Sequence, residues 1–429
     1  MSELALLGGE KALPELPRYN PIGPEEVEAA KRVVETGLLS GYLGVWDPGF
    51  YGGENVQKLE REWAQFFGVA HAVSVNSNTS GLMAALGAIG LEPGDEVIVS
   101  PWTMCASATS ILVWNAIPVF ADIEEETFNL DPESIEANIT PHTRAIMVTD
   151  IIGHAADLDV IMDIARRHRL KVIEDAAQAP GALYTGGRYV GTVADIGVFS
   201  LNYHKHIHTG EGGICVTNDD TLAERMQLIR NHGEAVVEAK GVEDLTNMIG
   251  FNFRMTEIEA AIGIEQLKKL EDLVARKVDA ADRLSRRLEP LPGLRTPVVK
   301  PDCTHVYYTY PLVYDASVTG VNRQRIVDAL RAEGVPTGAG YLNLHLQPMF
   351  QKKQAYGRNG FPWSGGLYEG NVSYAKGICP VAERLHDSDF IGLGWCLFEG
   401  TGREVDAIAE AFEKIWCHLD DLQEADGGN

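Results

Sequence analysis

From Val56 onward the sequence alternates between two hydrophobic periods, and that alternation confines the chain to a narrow set of folds. VQKLEREWAQFFG carries apolar residues at the spacing of one helix face, whereas AVSVNS and DEVIVS are short, β-branched runs of strand character. TSGLMAALGAIG and ASATSILVWN read as helices and IPVFADI, RAIMVTDI and KVIEDAA as strands, with DPESIEANI and DLDVIMDIARRHR as helical segments between them. Strands separated by helices at this spacing form βαβ units, which need parallel strands covered on both faces. The predicted fold class is α/β, with a mostly parallel central sheet in a large domain. IGVFSLN and GGICVTN add two strands on either side of one polar, histidine-rich loop.

The flanks read differently. Residues 1–20 have the look of an extended N-terminal arm, and Pro24, Glu25 and Glu26 then open a helix that Gly37 closes. GYLGVWDPGFYGGEN, rich in glycine and aromatics, is either a packed surface loop or a loop that lines a pocket or subunit contact. TEIEAAIGIEQLKKLEDLVARKVDAADRLSRRL reads as one long helical stretch joining two domains. Beyond Pro290, HVYYTYPLVYD reads as a strand and NRQRIVDALRAEG and the segment from Glu404 to Cys417 as helices, which makes a smaller C-terminal α+β domain. The expected division is a large domain over 21–285, a small domain over 286–420 and a disordered acidic tail over 421–429.

Charge narrows the function classes. With a net charge of −25 the chain has no basic stripe to neutralise phosphates, so no nucleic-acid partner is expected. Its six cysteines form no CxxC pair, the first residues lack an apolar signal core, and no apolar run approaches the roughly 20 residues of a membrane helix. Those features predict a cytoplasmic protein with free thiols and no membrane partner.

In parallel sheets ligands bind at the carboxyl ends of the strands, and four such ends here carry polar punctuation. NSNTSG, Asn76 to Gly81, sits at a strand-to-helix turn, where backbone N–H groups and the helix dipole favour a phosphate; Ser and Thr there also serve as plain N-caps. In VIEDAAQAPGA, Asp175 ends an apolar strand and Gln178 follows it. A buried carboxylate requires a cationic or hydrogen-bonding partner, and the protonated ring nitrogen of pyridoxal phosphate (PLP) is one. In FSLNYHKHIHTGEGG, Lys205 lies among apolar residues between His204 and His206, an environment that lowers an amine pKa and frees it for Schiff-base chemistry. In GFNFRMTEIEAAIG, Asn252 and Arg254 precede a helix.

Taken together, NTSGL, EDAAQAPGA, FSLNYHK followed by TGEGG, and GFNFRMTEIEAAIGIEQL resemble the PLP-dependent sugar aminotransferases of the DegT/DnrJ/StrS type, in the same order and at similar spacing, from Gly8 to the last helix. The resemblance implies the aspartate aminotransferase-like fold type I. It also implies that Lys205 bonds the cofactor, that Asp175 holds the pyridinium nitrogen and that Gln178 meets the phenolic oxygen. Asn78, Thr79, Ser80 and Ser200 fall on the cofactor segments, the last three in the phosphate cradle. Asn252 matches a residue that reaches the cofactor of the neighbouring subunit, which implies a homodimer. Over the cofactor ring, where relatives place an aromatic, the register puts Met104; Trp102, two residues earlier, would point the same way in an extended segment.

His154, Arg254, Tyr341 and His345, the last two within GYLNLHLQP with Gln347, are the candidate substrate contacts. His204, His206 and His208, at two-residue spacing, would share one side of a strand as metal ligands sometimes do, but no Cys or carboxylate completes a set, and no metal is expected. The implied activity is transamination from glutamate or glutamine to a keto group on a nucleotide-linked sugar or a cyclitol. Two alternatives stay open: a sugar dehydratase of the same fold, in which histidine replaces the lysine, and a non-catalytic PLP-fold binding or regulatory protein. The five-residue spacing from Ser200 to Lys205 puts lysine in register.

Overall fold

The structure, a computed structural model, describes residues 3–13, 15–338 and 340–426. In chain order the large domain's strands are β1 (His71–Val75), β2 (Glu96–Val99), β3 (Ile117–Phe120), β4 (Thr143–Thr149), β5 (Lys171–Asp175), a short hairpin of β6 (Leu183–Tyr184) and β7 (Arg188–Tyr189), then β8 (Ile196–Ser200) and β9 (Gly213–Thr217). Seven of them make one sheet in the order β1-β9-β8-β5-β4-β2-β3. Only β9 runs against its neighbours β1 and β8; the other pairings are parallel. The other six strands therefore end on the same side. Helices on both faces bury these strands almost completely, which is why they read as continuous apolar runs rather than as alternating ones.

Three helices follow the sequence closely: α1 (Pro24–Thr36), closed by Gly37 at φ 74°, α2 (Glu54–Phe67) and α3 (Asn78–Ala88). The seat of α3 is unusually close. A Cβ at Gly81 would stand 2.6 Å from Val198 Cγ1 on β8, so a glycine there lets the helix lie against the sheet and fixes where its first turn ends up. After β2 comes α4 (Cys105–Val113). The long helical stretch is in fact two helices, Glu257–Leu267 and Leu270–Leu288. At the break, Lys269 turns its amine to Glu26 of α1, 2.7 Å away.

The small domain holds an antiparallel sheet of β10 (Leu294–Arg295), β11 (Tyr310–Tyr314), β12 (Thr337–Gly338) and β13 (Phe390–Leu393), in the order β10-β11-β13-β12. The two hydrophobic clusters divide within the helix Leu270–Leu288: Leu270, Leu273 and Val274 face the large core, Ala281, Leu284 and Leu288 the small one. The segment from Leu344 to Leu385, placed in the small domain by the sequence, puts Leu344, Phe350, Tyr374, Cys379 and Leu385 into the large core.

Both termini are better anchored than expected. Met1, Ser2 and Pro14 of the arm lie outside the described residues, but Leu4 and Leu13 are buried in the small core. The arm is pinned by Glu333, a fully buried carboxylate that accepts the Ala5 and Ala12 N–H groups at 2.8 Å each and pairs with Lys414 at 2.9 Å. At the other end, residues 421–426 are not a disordered tail but the continuation of a helix, Leu419–Asp426, while 427–429 lie outside the described residues. Leu419 and Leu422, three apart, give this acidic segment an apolar edge, and Leu422 is buried. Lys414→Met would leave Glu333 without its cation, and a loss of about 3 kcal/mol in urea unfolding is the expected result.

Candidate active site

Five strand ends converge on one cavity of about 160 Å³. After β1, Ser77 caps α3: its Oγ accepts the Ser80 N–H at 3.1 Å, and the Ser80 hydroxyl donates to Asn76 Oδ1 at 2.6 Å. The next N–H groups, of Asn78 and Thr79, are those a helix start leaves to a ligand, and both residues line the cavity. Opposite them β9 begins at Gly213, where a Cβ would stand 2.7 Å from Asn78 N. Ser80 itself points inward to the cap and does not line the cavity.

After β2 the chain enters α4 with Met104 as its N-cap residue. Met104 lines the cavity at its open side, 57% exposed. Trp102 does not: it is fully buried, its ring 5.0 Å from Phe390 and 6.0 Å from Phe128. The expected same-side alternation fails because β2 ends at Val99 and the chain bends over residues 101–103, so Trp102 and Met104 do not lie on one extended strand. One turn further on, Ser107 donates to Asp175 Oδ2 at 2.9 Å. Behind it runs a buried hydroxyl chain, Thr149 to Thr103 at 3.4 Å and Thr103 to Ser107 at 3.0 Å.

Asp175, the last residue of β5, is buried, with Oδ1 accepting from Asn78 Nδ2 and the Ala177 N–H, both at 3.3 Å. Burial pushes its carboxyl pKa up, and Ser107, the Ala177 N–H, Lys205 and Asn78 pull it back. Gln178 is held at both ends of its amide: Oε1 accepts the Ile152 N–H and Nε2 donates to the Tyr341 hydroxyl, each at 2.8 Å. Ile152 sits at φ 67°, a strained conformation for a β-branched residue, and thereby turns its N–H to Gln178 and its carbonyl to the Tyr308 N–H at 2.8 Å.

After β8, Ser200 lines the cavity and the chain turns, with the Lys205 N–H bonded to Asn202 O at 3.0 Å. Lys205 is only 7% exposed, and burial pulls its amine down to about 8 against the opposing pull of Asp175 and Cys396. Its Nζ lies 4.2 Å from the centre of the Tyr308 ring. Because this stretch is a turn, the three histidines diverge. His204 faces the cavity and bonds Tyr308 at 2.9 Å, His206 is buried against the Val306 carbonyl at 2.8 Å with its pKa pulled down to about 4, and His208 Nδ1 accepts the Gly210 N–H at 3.3 Å. They share no side.

The structure thus brings together Asn78, Thr79, Met104, Asp175, Gln178, Ser200 and Lys205. The substrate candidates are placed elsewhere. His154 is buried, with Nε2 accepting the Lys300 N–H at 3.0 Å, and His345 is buried against Glu383 at 2.9 Å; neither lines the cavity, and both act as packing contacts. Tyr341 reaches the site only through Gln178. Arg254 donates to Asn231 Oδ1 at 2.8 Å, and Asn252 is exposed; neither lines the cavity of the single chain. Sequence reasoning missed Ser107, Thr103, Thr149 and Tyr308, and named His204 without its bond to Tyr308. For Ser107 a signal existed, since a serine inside the apolar helix ASATSILV needs a buried partner.

The donor set fits PLP: a buried carboxylate for the ring nitrogen, an amine of low pKa for the aldehyde, and a helix start with hydroxyls for the phosphate. Fold and site together define a fold type I PLP-dependent enzyme. The model of the DegT/DnrJ/EryC1/StrS aminotransferase family matches residues 47–378, and the chain belongs to that family. It is a PLP-dependent aminotransferase. It is 38% identical over 299 residues to a GDP-perosamine synthase of Caulobacter vibrioides, covering 70% of this chain and 79% of that protein. It is 34% identical over 413 residues to an L-glutamine:2-deoxy-scyllo-inosose aminotransferase of Streptoalloteichus tenebrarius, covering 94% and 96%. Among solved structures, an aminotransferase from Psychrobacter cryohalolentis superposes with a TM-score of 0.80 at 30% identity, over 95% of this chain and all of that one.

Ser107→Ala removes a hydrogen bond to a charged group, worth about 1.5–3 kcal/mol. The expected result is a fall of at least about tenfold in the amino-donor half-reaction, followed by stopped-flow absorbance.

Proposed function

We propose that this aminotransferase moves the amino group of glutamate or glutamine to the keto group of a nucleotide-linked sugar or of a cyclitol, in amino-sugar or aminocyclitol biosynthesis within secondary metabolism. The observation that carries the reading is the burial of Lys205 and Asp175 in one cavity whose lining also includes the polar side chains of Asn202, His204 and Glu211. Hydrogen-bonding side chains of this kind suit an acceptor rich in hydroxyls. The named activities of the perosamine and scyllo-inosose relatives support the same class of acceptor.

The chain's own residues divide the work. PLP, when bound, supplies the electron sink that makes the α-carbon proton of an amino acid removable. Asp175, kept anionic and oriented by Ser107, Asn78 and the Ala177 N–H, holds the proton on the ring nitrogen. Lys205, whose amine is poised at about 8, would take the proton from the donor's α-carbon and deliver it to C4′ of the cofactor, across the transferring nitrogen, with the reverse movement for the keto acceptor. Gln178, clamped between Ile152 and Tyr341, is placed for the phenolic oxygen. Lys205 is the amine buried in the cavity, while His206 is turned to a backbone carbonyl and His204 is bonded to Tyr308, and this favours transamination over dehydration.

The active form in this reading is a cytoplasmic homodimer with Asn252 reaching across the interface. Leu38, Val45 and Trp46 are exposed at 71%, 58% and 43%. Their loop is tied to the Asn252 segment through Asn231, which donates to Leu43 O and Phe50 O and accepts from Arg254. An apolar loop and Asn252 thus share one face. The free cysteines among the described residues suit a reducing compartment.

Keto-sugars and cyclitol ketones screened with glutamate or glutamine, following release of the keto acid, test the reading; acceptance of amino acids alone would overturn it. Lys205→Ala should reduce turnover to background and Asp175→Asn should lower kcat by about 10²-fold. Light scattering should give twice the chain mass, with Asn252→Ala weakening PLP retention.

A further inference from the structure

Tyr308 is the side chain that the small domain extends over the reacting amine. It comes from the run HVYYTYPLVYD, just before β11, and its backbone is fixed on both sides: the N–H donates to the strained Ile152 carbonyl at 2.8 Å and the carbonyl accepts the Cys396 N–H at 3.3 Å. Its ring stands 4.2 Å from Lys205 Nζ. Its hydroxyl meets His204 Nδ1 at 2.9 Å. Burial drives the phenol pKa up, so the O–H remains. His204, whose pKa is lowered by burial and by the neighbouring Lys205 charge, is the hydrogen-bond partner that keeps the ring at its angle over the amine.

We propose that Tyr308 is a positioning residue for the transamination, its ring face stabilising the protonated form of Lys205 and its hydroxyl bond to His204 holding the ring in place. The inference rests on Lys205 being the reacting amine. The physical need is clear from the surroundings. Lys205 must alternate between a neutral base and an ammonium inside a water-poor cavity, and the groups that bear on it are few: Asp175 and Cys396 favour the charged form, while burial opposes it. His206, beside it, is neutral and turned away. Asp175 is already engaged by Ser107, Asn78 and the Ala177 N–H, and in the reaction it serves the ring nitrogen. An aromatic face supplies negative potential without a formal charge and without accepting the proton, so the ammonium is tolerated while the neutral amine remains free to react. A carboxylate in the same place would clamp the amine as a salt bridge.

The test reads the proton affinity of Lys205 in the full-length chain freed of PLP, as the pH midpoint of its acetylation by acetic anhydride, quantified on the Lys205 peptide by mass spectrometry. The wild-type midpoint should lie near 8. Tyr308→Leu should lower it by about one unit, the size of a desolvated cation–π contact, while Tyr308→Phe, which keeps the ring but loses the hydroxyl bond to His204, should lie between that value and wild type. Because Tyr308→Leu can fail by misfolding, 3,4,5-trifluorophenylalanine at position 308 provides an isosteric arm: it keeps the shape of phenylalanine and removes most of the negative ring face. A midpoint for the trifluoro protein well below that of Tyr308→Phe supports the proposal. Equal midpoints for those two, or a Tyr308→Phe midpoint as low as that of Tyr308→Leu, overturn it. The measurement uses no substrate, so a Tyr308-dependent midpoint in a protein that transaminates no keto-sugar would count against the proposed acceptor and not against the role of the ring.

Discussion

Everything at the site depends on keeping one anion and one amine buried within reach of each other without letting either be neutralised by the rest of the protein. Asp175 and Lys205 stand at the ends of adjacent parallel strands or just beyond, β5 and β8, and parallel pairing is what brings those ends to the same level. Burial alone would protonate the carboxyl and deprotonate the amine. Three hydrogen bonds hold the carboxylate anionic, from Ser107, Asn78 and the Ala177 N–H, each from a different strand-end segment of the large domain. The sheet topology is therefore an electrostatic device as much as a scaffold.

Asp175 is also one of three carboxyl groups crowded at this edge of the sheet. Glu174, pointing to the opposite face, is fully buried and accepts the N–H groups of Gly191, Val193 and Ala194. Asp150, just past β4, accepts the Ala156 N–H at 3.0 Å, and burial together with Glu174 and Asp175 pushes its pKa well up. Glu174, with three N–H donors, is thus the better holder of negative charge of the two, and the upward shift of Asp150 favours the neutral carboxyl behind Asp175.

How much of this was legible in the sequence depends on whether the controlling interaction is local. Strand ends are local: the apolar run before Asp175 and the turn after Ser200 announced the carboxylate and the lysine, and NSNTSG announced the α3 cap. The choice between Met104 and Trp102 was not, because it turns on the bends over residues 101–103 that separate β2 from α4. His154 and His345 sit at plausible places in the chain, yet each satisfies a buried partner, Lys300 N–H or Glu383, that lies far away in sequence. The acidic tail misled for a related reason. Composition suggested disorder, and two leucines three residues apart were enough to dock a helix.

Tyr308 could not have been placed from the sequence, and Tyr341 was named there only as a substrate contact and not as the partner of Gln178, because both roles depend on contacts between segments far apart in the chain. The loop after β3 takes part in packing the small domain on the large one: Glu124 pairs with Lys300 at 3.0 Å and Glu125 with Arg295 at 2.9 Å, while Asp122, accepting the Val381 and Ala382 N–H groups at 2.8 and 3.0 Å, and Glu125, pairing with Arg384 at 2.9 Å, hold the 344–385 segment to the large core. Exposed ion pairs contribute little singly, but here several fall on one short loop and are joined by buried backbone bonds. The same surface carries the strained Ile152, whose N–H and carbonyl reach Gln178 and Tyr308. A residue held in such a conformation persists only where its surroundings over-determine it, and here they do so from both domains. The placing of the Tyr308 ring over Lys205 is thus set by packing between the domains, whereas Asn202, His204 and Glu211 come from the same loop that carries Lys205 itself. Through the His204–Tyr308 bond that loop and the domain contact are tied to each other, so a change in either reaches the amine.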